Sequence, residues 1–346
     1  MRARCPHVEL GLPKCNARNS KCEDGIRLIP MNLLDVAGLV PDAHLGKGLG
    51  NQFLGDLATA DCLIQVVDAS GRTDAEGKQA DAYYPGNEVR FLEEEIAWWL
   101  HGILKRSWSK IKGGNIDSLL SVLSGLKVER ADIERAAAAA FLSLEDISWS
   151  DEDTLRFARE VQKASKPIII AANKIDVPGA DANFDRMRKE LPDRPIVPCS
   201  AESELALRKA AEKGLIRYVP GDADFQVLAE LPEKQRAALE FIREKVMKRW
   251  GGTGVQKLIN SAVFDLLGLI VVYPVEDEHK YADHFGNVLP DAFLLRKGST
   301  ALQLAEKIHT DLAKHFVHAV NARTHMRMGR EHVLQDGDVV RIVAAR

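Results

Sequence analysis

The apolar run Pro167–Ala172 is followed at once by Asn173-Lys174-Ile175-Asp176. A short apolar run bounded by turn residues reads as a buried strand of an α/β sheet, and open α/β sheets bind ligands beyond the carboxyl ends of their strands. A carboxylate at that place, Asp176, can accept hydrogen bonds from both the N1–H and the exocyclic N2–H₂ of guanine, a donor pair adenine lacks. The Lys174 stem can lie over a base plane while its ammonium stays wet, and Asn173 can tie neighbouring loops together. Taken alone the tetrapeptide is weak, since a solvated loop after a strand looks the same.

Two further motifs change the weighting. Ile26–Ile29 reads as a strand, Pro30 as a break and Met31–Val36 as a second strand, which Asp35-Val36-Ala37-Gly38 closes. In GTP-binding domains such an Asp holds Mg²⁺, usually through water, and the Gly N–H donates to the γ-phosphate. The plain alternative is an Asp capping a turn before a loop rich in glycine (Gly38, Gly46, Gly48, Gly50, Gly55). Downstream, Ile196–Cys199 reads as a strand and leads into Ser200-Ala201, whose backbone N–H groups would meet the guanine O6. Cys62–Asp68 is another buried strand, ending in a carboxylate. Three ordered motifs, each at a strand end, point to a nucleotide domain.

The 98 residues between Asp68 and Pro167 far exceed a simple crossover. Val89–Leu104 carries Phe91, Leu92, Ile96, Trp99, Leu100 and Ile103 at a helical period, so residues 85–150 read as a helical insertion. Residues 1–84 and 151–267 make the nucleotide domain, its first 25 residues a loop or an incomplete element. From Gly268 short strands surround one helix, Ala301 to about Ala313, in a compact α+β module over 268–346. Composition sets limits on class. A net charge of −3 gives no global positive field for nucleic acid, and no apolar run approaches a bilayer's ~20 residues. Five cysteines in 346 residues argue for a reducing cytoplasm rather than a disulfide scaffold.

The stretch Asp35-Val36-Ala37-Gly38-Leu39-Val40-Pro41-Asp42-Ala43-His44, followed by Gly46 and Gly48-Leu49-Gly50-Asn51, resembles the second switch of the YchF branch of Obg-related GTPases, closest to archaeal members. Asn173–Asp176 and Ser200-Ala201 match the family's base-recognition motifs, and residues from Gly268 onward, with Asp336-Gly337-Asp338-Val339-Val340, resemble its closing TGS domain. The resemblance implies a P-loop GTPase-type parallel sheet with a helical insertion and a C-terminal β-grasp (TGS) domain. It implies GTP or GDP as ligand with Mg²⁺ as cofactor, nucleotide contacts from Asp35, Gly38, Asn173, Lys174, Asp176, Ser200 and Ala201, and Asp35 as the Mg²⁺ ligand through water. A ribosome or RNA partner is implied as well, with no membrane or DNA partner.

One departure stands out: no Gly-x-x-x-x-Gly-Lys-[Ser/Thr] occurs anywhere. That loop cradles the α- and β-phosphates and supplies a Lys and a Mg²⁺-binding hydroxyl. Gly251–Lys257 lacks its spacing and reads as an interhelical turn. Strand one, the phosphate loop, the first helix and the first switch would precede Met1, so the chain alone is expected to bind guanine nucleotide weakly or not at all and to be inactive. Leu39 stands where Ras-like enzymes use a water-orienting Gln, and His44 on the same loop is the tentative catalytic candidate; a surface His is the plain alternative. Intact Asn-Lys-x-Asp favours GTP over ATP. The rival reading is a non-enzymatic ribosome- or RNA-binding adaptor.

Two weaker features remain. Cys5, His7, Cys15 and Cys22 could be zinc ligands, but they lack the paired Cys-x₂-Cys knuckle, and free thiols in a loop are the default. Residues 296–346 hold nine Lys/Arg against five Asp/Glu, a local +4. Arg323, Arg327 and Arg330 with His325 could meet phosphates, as Lys105–Lys110 could touch RNA, although a helix end is the ordinary reading there.

Overall fold

The computed structural model describes residues 1–36 and 50–345, with backbone alone at 50–54. It divides into two compact units, residues 1–32, 219–221 and 259–346 in one, residues 33–218 and 222–258 in the other. Residues 1–32 therefore go with the C-terminal module rather than with the nucleotide domain. The reason is apolar: Met1 and Ile29 are buried in one cluster with Val271, Tyr273 and Leu289.

Residues 1–25, expected to be a loop or an incomplete element, supply β1 (Arg2–Arg4) and β2 (Lys21–Glu23). With β3 (Ile26–Leu28), the strand expected at Ile26–Ile29, they form an antiparallel sheet of order β1-β3-β2. Asp24 and Gly25 take φ 49° and 79°, letting Glu23 pair with Ile26. Asp-Gly is a favoured two-residue hairpin loop because both positions need positive φ.

In the other unit β4 (Leu63–Asp68), β5 (Ile168–Asn173) and β6 (Ile196–Pro198) run parallel in that order, within a residue of the sequence reading. Met31–Val36 is not a strand. Pro30 offers no N–H, Leu33 and Leu34 are 72% and 58% exposed, and among the described residues β4 pairs with β5 alone. Extended backbone becomes a strand only when its N–H and C=O groups find partners.

The helices Gly86–Arg106, Ile116–Leu123, Arg130–Ala139 and Asp151–Ser165 bury one apolar cluster together with Ile168. The buried stripe of the first is Val89, Ile96, Ala97, Leu100 and Leu104, rotated from the expected one, since Phe91 and Ile103 are half-buried. Two neighbours share this helix: Val89 joins the sheet's cluster with Val67 and Ile170, while Ile96, Leu100 and Leu104 meet the helices. The short hairpin β7 (Ile216–Arg217) and β8 (Gln226–Val227) follows, and Gly251, at φ 74°, ends the helical stretch 233–250.

The C-terminal sheet holds β9 (Leu269–Val275), β10 (Phe293–Arg296), β11 (Phe316–Asn321), β12 (Arg327–Met328) and β13 (Val339–Ala344) in the order β10-β9-β13-β11-β12. The central pair β9 and β13 is parallel, and the helix Ala301–Ile308 covers the sheet with Ala301, Leu304 and Ala305. The helix expected to reach Ala313 breaks at His309, which turns extended and restarts Thr310–Lys314 by accepting at Nδ1 from the Asp311 N–H at 3.2 Å.

Candidate nucleotide site at the strand ends

Asp68 lies opposite Asn173 in the β4–β5 register, and Ala172 lies opposite Pro198 between β5 and β6. The three loops that leave these parallel strands therefore meet at one rim, and backbone bonds weld two of them. Cys199 N–H donates to Ala172 O at 2.9 Å and Ile175 N–H to Cys199 O at 3.0 Å.

On that frame Asn173 Oδ1 accepts from Ala201 N–H at 3.0 Å, the loop tie read from the sequence. Lys174 sits at φ 60°, a left-handed conformation that costs a non-glycine residue about 1–2 kcal/mol. An ion pair fixes its far end: Nζ donates to Asp68 Oδ2 at 2.8 Å. Asp68 accepts as well from Ser70 N–H at 2.9 Å and Thr73 Oγ1 at 2.8 Å. Burial would raise the Asp68 carboxyl, but Lys174, Ser70 and Thr73 together hold it below its ordinary value. Burial, with the charges of Asp68 and Asp74 adding, pushes neighbouring Glu88 up to about 7.

Asp176 is half-exposed and has no hydrogen bond or ion pair among the described residues. The rim thus offers one carboxylate with both oxygens uncommitted. Beside it runs an aliphatic lysine stem whose charge is already neutralised, and a side chain of that kind can cover a flat apolar face.

The Ser200 corner departs from the sequence reading. Ser200 is fully buried and caps the helix Ala201–Glu212, its Oγ accepting from Ser203 N–H at 3.3 Å. Its own N–H donates to Thr253 O at 2.8 Å, and Ala201 N–H is held by Asn173. Both amides assigned to a base oxygen thus have partners inside the chain, so a ligand at Ala201 has to share that donor with Asn173 Oδ1. The backing residues are Thr253, which the sequence reading placed only in an interhelical turn, and Glu204, which it did not single out. Thr253 Oγ1 donates to Glu204 Oε2 at 2.5 Å and Tyr218 OH to the same oxygen at 2.7 Å. Gly254 packs so closely that an added Cβ would lie 1.8 Å from Pro198 O. The turn over 251–254, ahead of the helix Val255–Asn260, thus holds up the rim.

Asp35 lies exposed in the irregular stretch before residue 37 rather than at a strand tip. Gly38 and His44 lie outside the described residues. In the C-terminal module Arg323 is not free for phosphate: it pairs with Glu9 at 2.8 Å and donates to Gly337 O at 3.1 Å. Arg327 and Arg330 are exposed. Lys105 pairs with Asp151 at 3.0 Å at the end of its helix, which is the ordinary reading of that cluster.

Residues 171–277 match the family model "Obg-like GTPase YGR210-like, G4 motif-containing domain", and residues 285–344 match the TGS domain. An uncharacterized GTP-binding protein of Methanocaldococcus jannaschii is 48% identical over 347 residues, covering 99% of this chain and 87% of its own. The crystal structure of a GTP binding protein from Pyrococcus horikoshii OT3 superposes with a TM-score of 0.80 at 40% identity, covering 99% of this chain and 91% of that one. The ribosome-binding ATPase YchF of Escherichia coli O157:H7 is 25% identical over 341 residues, 90% of this chain and 80% of its own.

Proposed function

Because the chain belongs to the YchF/Obg-like GTPase family, we propose that its strand-end rim reads the base of a guanine nucleotide, as one part of a ribosome-associated switch. One observation carries the base reading: Asn173 and Lys174 are locked by Ala201 and Asp68, while Asp176 beside them is left unpaired. Asp176 would accept from guanine N1–H and N2–H₂, and the Lys174 stem would lie under the ring. Adenine offers no such donor pair, which favours GTP here although the Escherichia coli relative is named an ATPase.

The family uses Mg²⁺ with its nucleotide, and Asp35 is the residue to hold it. Magnesium keeps several waters and takes one or two carboxylates plus phosphate oxygens, so a single exposed carboxylate fits its demand. When bound, the ion would neutralise triphosphate charge. Gly38 would face the γ-phosphate by family pattern, and His44 would face the attacking water because it follows Leu39 within the same short stretch of sequence. No Gly-x-x-x-x-Gly-Lys-[Ser/Thr] lies within the 346 residues, so the phosphate grip is not assigned to any of them. Ribosome association rests on the name of the YchF relative and on exposed Arg327 and Arg330 in the TGS module.

The test is a base swap. Asn in place of Asp176 would present one donor and one acceptor, matching the C2 carbonyl and N1–H of xanthine. For GTP the variant keeps an uncharged acceptor for N1–H but sets a donor against N2–H₂; losing that charge-assisted bond and leaving a donor unpaired, at about 1.5 kcal/mol each, makes the loss about 100-fold. Saturation-transfer NMR with GTP, XTP and ATP registers weak binding. The base reading requires GTP preferred by the parent chain and XTP by Asp176→Asn. An unchanged order of the three nucleotides, or ATP competing as well as GTP, refutes it.

A further inference from the structure

For Cys5, His7, Cys15 and Cys22 the sequence leaves zinc ligation open beside the default of free thiols in a loop. The fold gathers them. One ligand atom from each lies within 4.8 Å of every other, with Cys5 Sγ 3.7 Å from Cys15 Sγ and Cys22 Sγ 3.8 Å from His7 Nδ1. They arrive from different elements: Cys5 immediately before the helix Pro6–Glu9, His7 within it, Cys15 in the following loop and Cys22 in the middle of β2. Zinc bonds of about 2.3 Å to sulfur and 2.0–2.1 Å to nitrogen, opened to the tetrahedral angle, separate ligands by about 3.8 Å (S to S) and 3.6 Å (S to N). Both measured separations fall there. Sulfurs joined in a disulfide stand only about 2 Å apart.

A second observation is independent of the ligands. Arg27 in β3 lies directly across from Cys22 in the β2–β3 register. It is fully buried, lies over the Tyr273 ring with its guanidinium carbon 5.5 Å from the centroid, and donates to Ser20 Oγ at 3.1 Å and Leu289 O at 2.5 Å. Neither acceptor is charged, and among the described residues Nε has no partner. A guanidinium buried without an anion is costly. Three thiolates and a neutral imidazole around Zn²⁺ carry a net −1, the counter-charge Arg27 calls for.

We propose that Cys5, His7 (through Nδ1), Cys15 and Cys22 form a closed tetrahedral Zn²⁺ site. Three soft thiolates with one imidazole select zinc over hard cations. Its role is to fix the segment 15–22 on the C-terminal module. Backbone bonds from Asn16 N–H to Val288 O at 2.8 Å and from Arg18 N–H to Pro290 O at 2.7 Å already stitch that segment down. Strands of three residues supply little core of their own, which is where proteins use a structural metal.

Elemental analysis of the full chain, purified without chelator from zinc-supplemented medium, should return one zinc per chain. Cys15→Ser and Cys22→Ser should each lose most of it, His7→Cys should retain it, and Cys62→Ser, outside the cluster, should be unchanged. Should the serine variants not fold, Co²⁺ exchanged into the parent chain gives a second readout: thiolate charge-transfer absorption with tetrahedral d–d bands. Metal-free parent protein, zinc insensitive to Cys22→Ser, iron with inorganic sulfide, or a Cys5–Cys15 disulfide in the intact mass overturns the proposal.

Discussion

Replacing Gly254 with alanine tests whether the turn over 251–254 supports the strand-end rim. Gly254 sits at φ 82°, and an added Cβ would lie 1.8 Å from Pro198 O, 2.9 Å from its carbonyl carbon and 3.0 Å from Cys199 Cα. All three are backbone atoms, so no side-chain rotation relieves the clash. Left-handed backbone costs alanine about 1–2 kcal/mol. Moving the turn to reach van der Waals distance breaks the Ser200 N–H to Thr253 O bond of 2.8 Å, and an orphaned buried donor adds about 1–3 kcal/mol. The sum is about 2–5 kcal/mol. Gly251→Ala is the control, because Gly251 has φ 74° and nothing within 4 Å of its added Cβ; it should cost only the backbone term. With two compact units a single unfolding transition is not assured, so urea melts should be paired with hydrogen exchange at the Cys199 and Ser200 amides. Equal destabilisation by the two alanines, or unchanged protection of Ser200 in Gly254→Ala, refutes the reasoning.

Three further outcomes follow from the same geometry. Ser200→Ala removes the cap of the helix Ala201–Glu212 and should cost about 1–2 kcal/mol in urea melts, whereas Ser165→Ala, at a helix end, should cost less than half of that. Glu88, pushed up to about 7 from 4.5, keeps a proton in the folded chain that the unfolded chain has released. Stability therefore falls as pH rises from about 4.5 to 7. Glu88→Gln should flatten that slope by about 1–2 kcal/mol, allowing for solvent screening, and parallel pH profiles of the two proteins would contradict it. Reversing the charge of Arg327 and Arg330 should weaken salt-sensitive co-sedimentation with ribosomes, and sedimentation equal to that of the parent chain removes the TGS module from that contact.

What the sequence made legible is what depends on short-range pattern. The strands ending at Asp68, Asn173 and Pro198 were read within a residue because each is an apolar run closed by polar turn residues. Met31–Val36 has the same local pattern and failed, because a strand needs a neighbour and pattern does not report neighbours. Asp68 was visible as a strand-end carboxylate, yet its partnership with Lys174 spans 106 positions. Glu204 carried no motif, and Thr253 stood in a turn whose packing behind Ser200 its local sequence does not report. The Cys/His cluster fails differently. A Cys-x₂-Cys knuckle is recognisable because one tight turn brings two ligands together; here Cys5 and Cys22 are brought together by β1 and β2 flanking β3. The signal for that was present in Asp24-Gly25, whose positive φ pair closes the β2–β3 hairpin and sets Cys22 opposite Arg27. Ligand spacing along a chain is informative only once the turns between the ligands are known. A two-residue hairpin loop beside a cysteine is therefore a reason to weigh unpaired Cys and His as a possible set, even where no knuckle is written in the sequence.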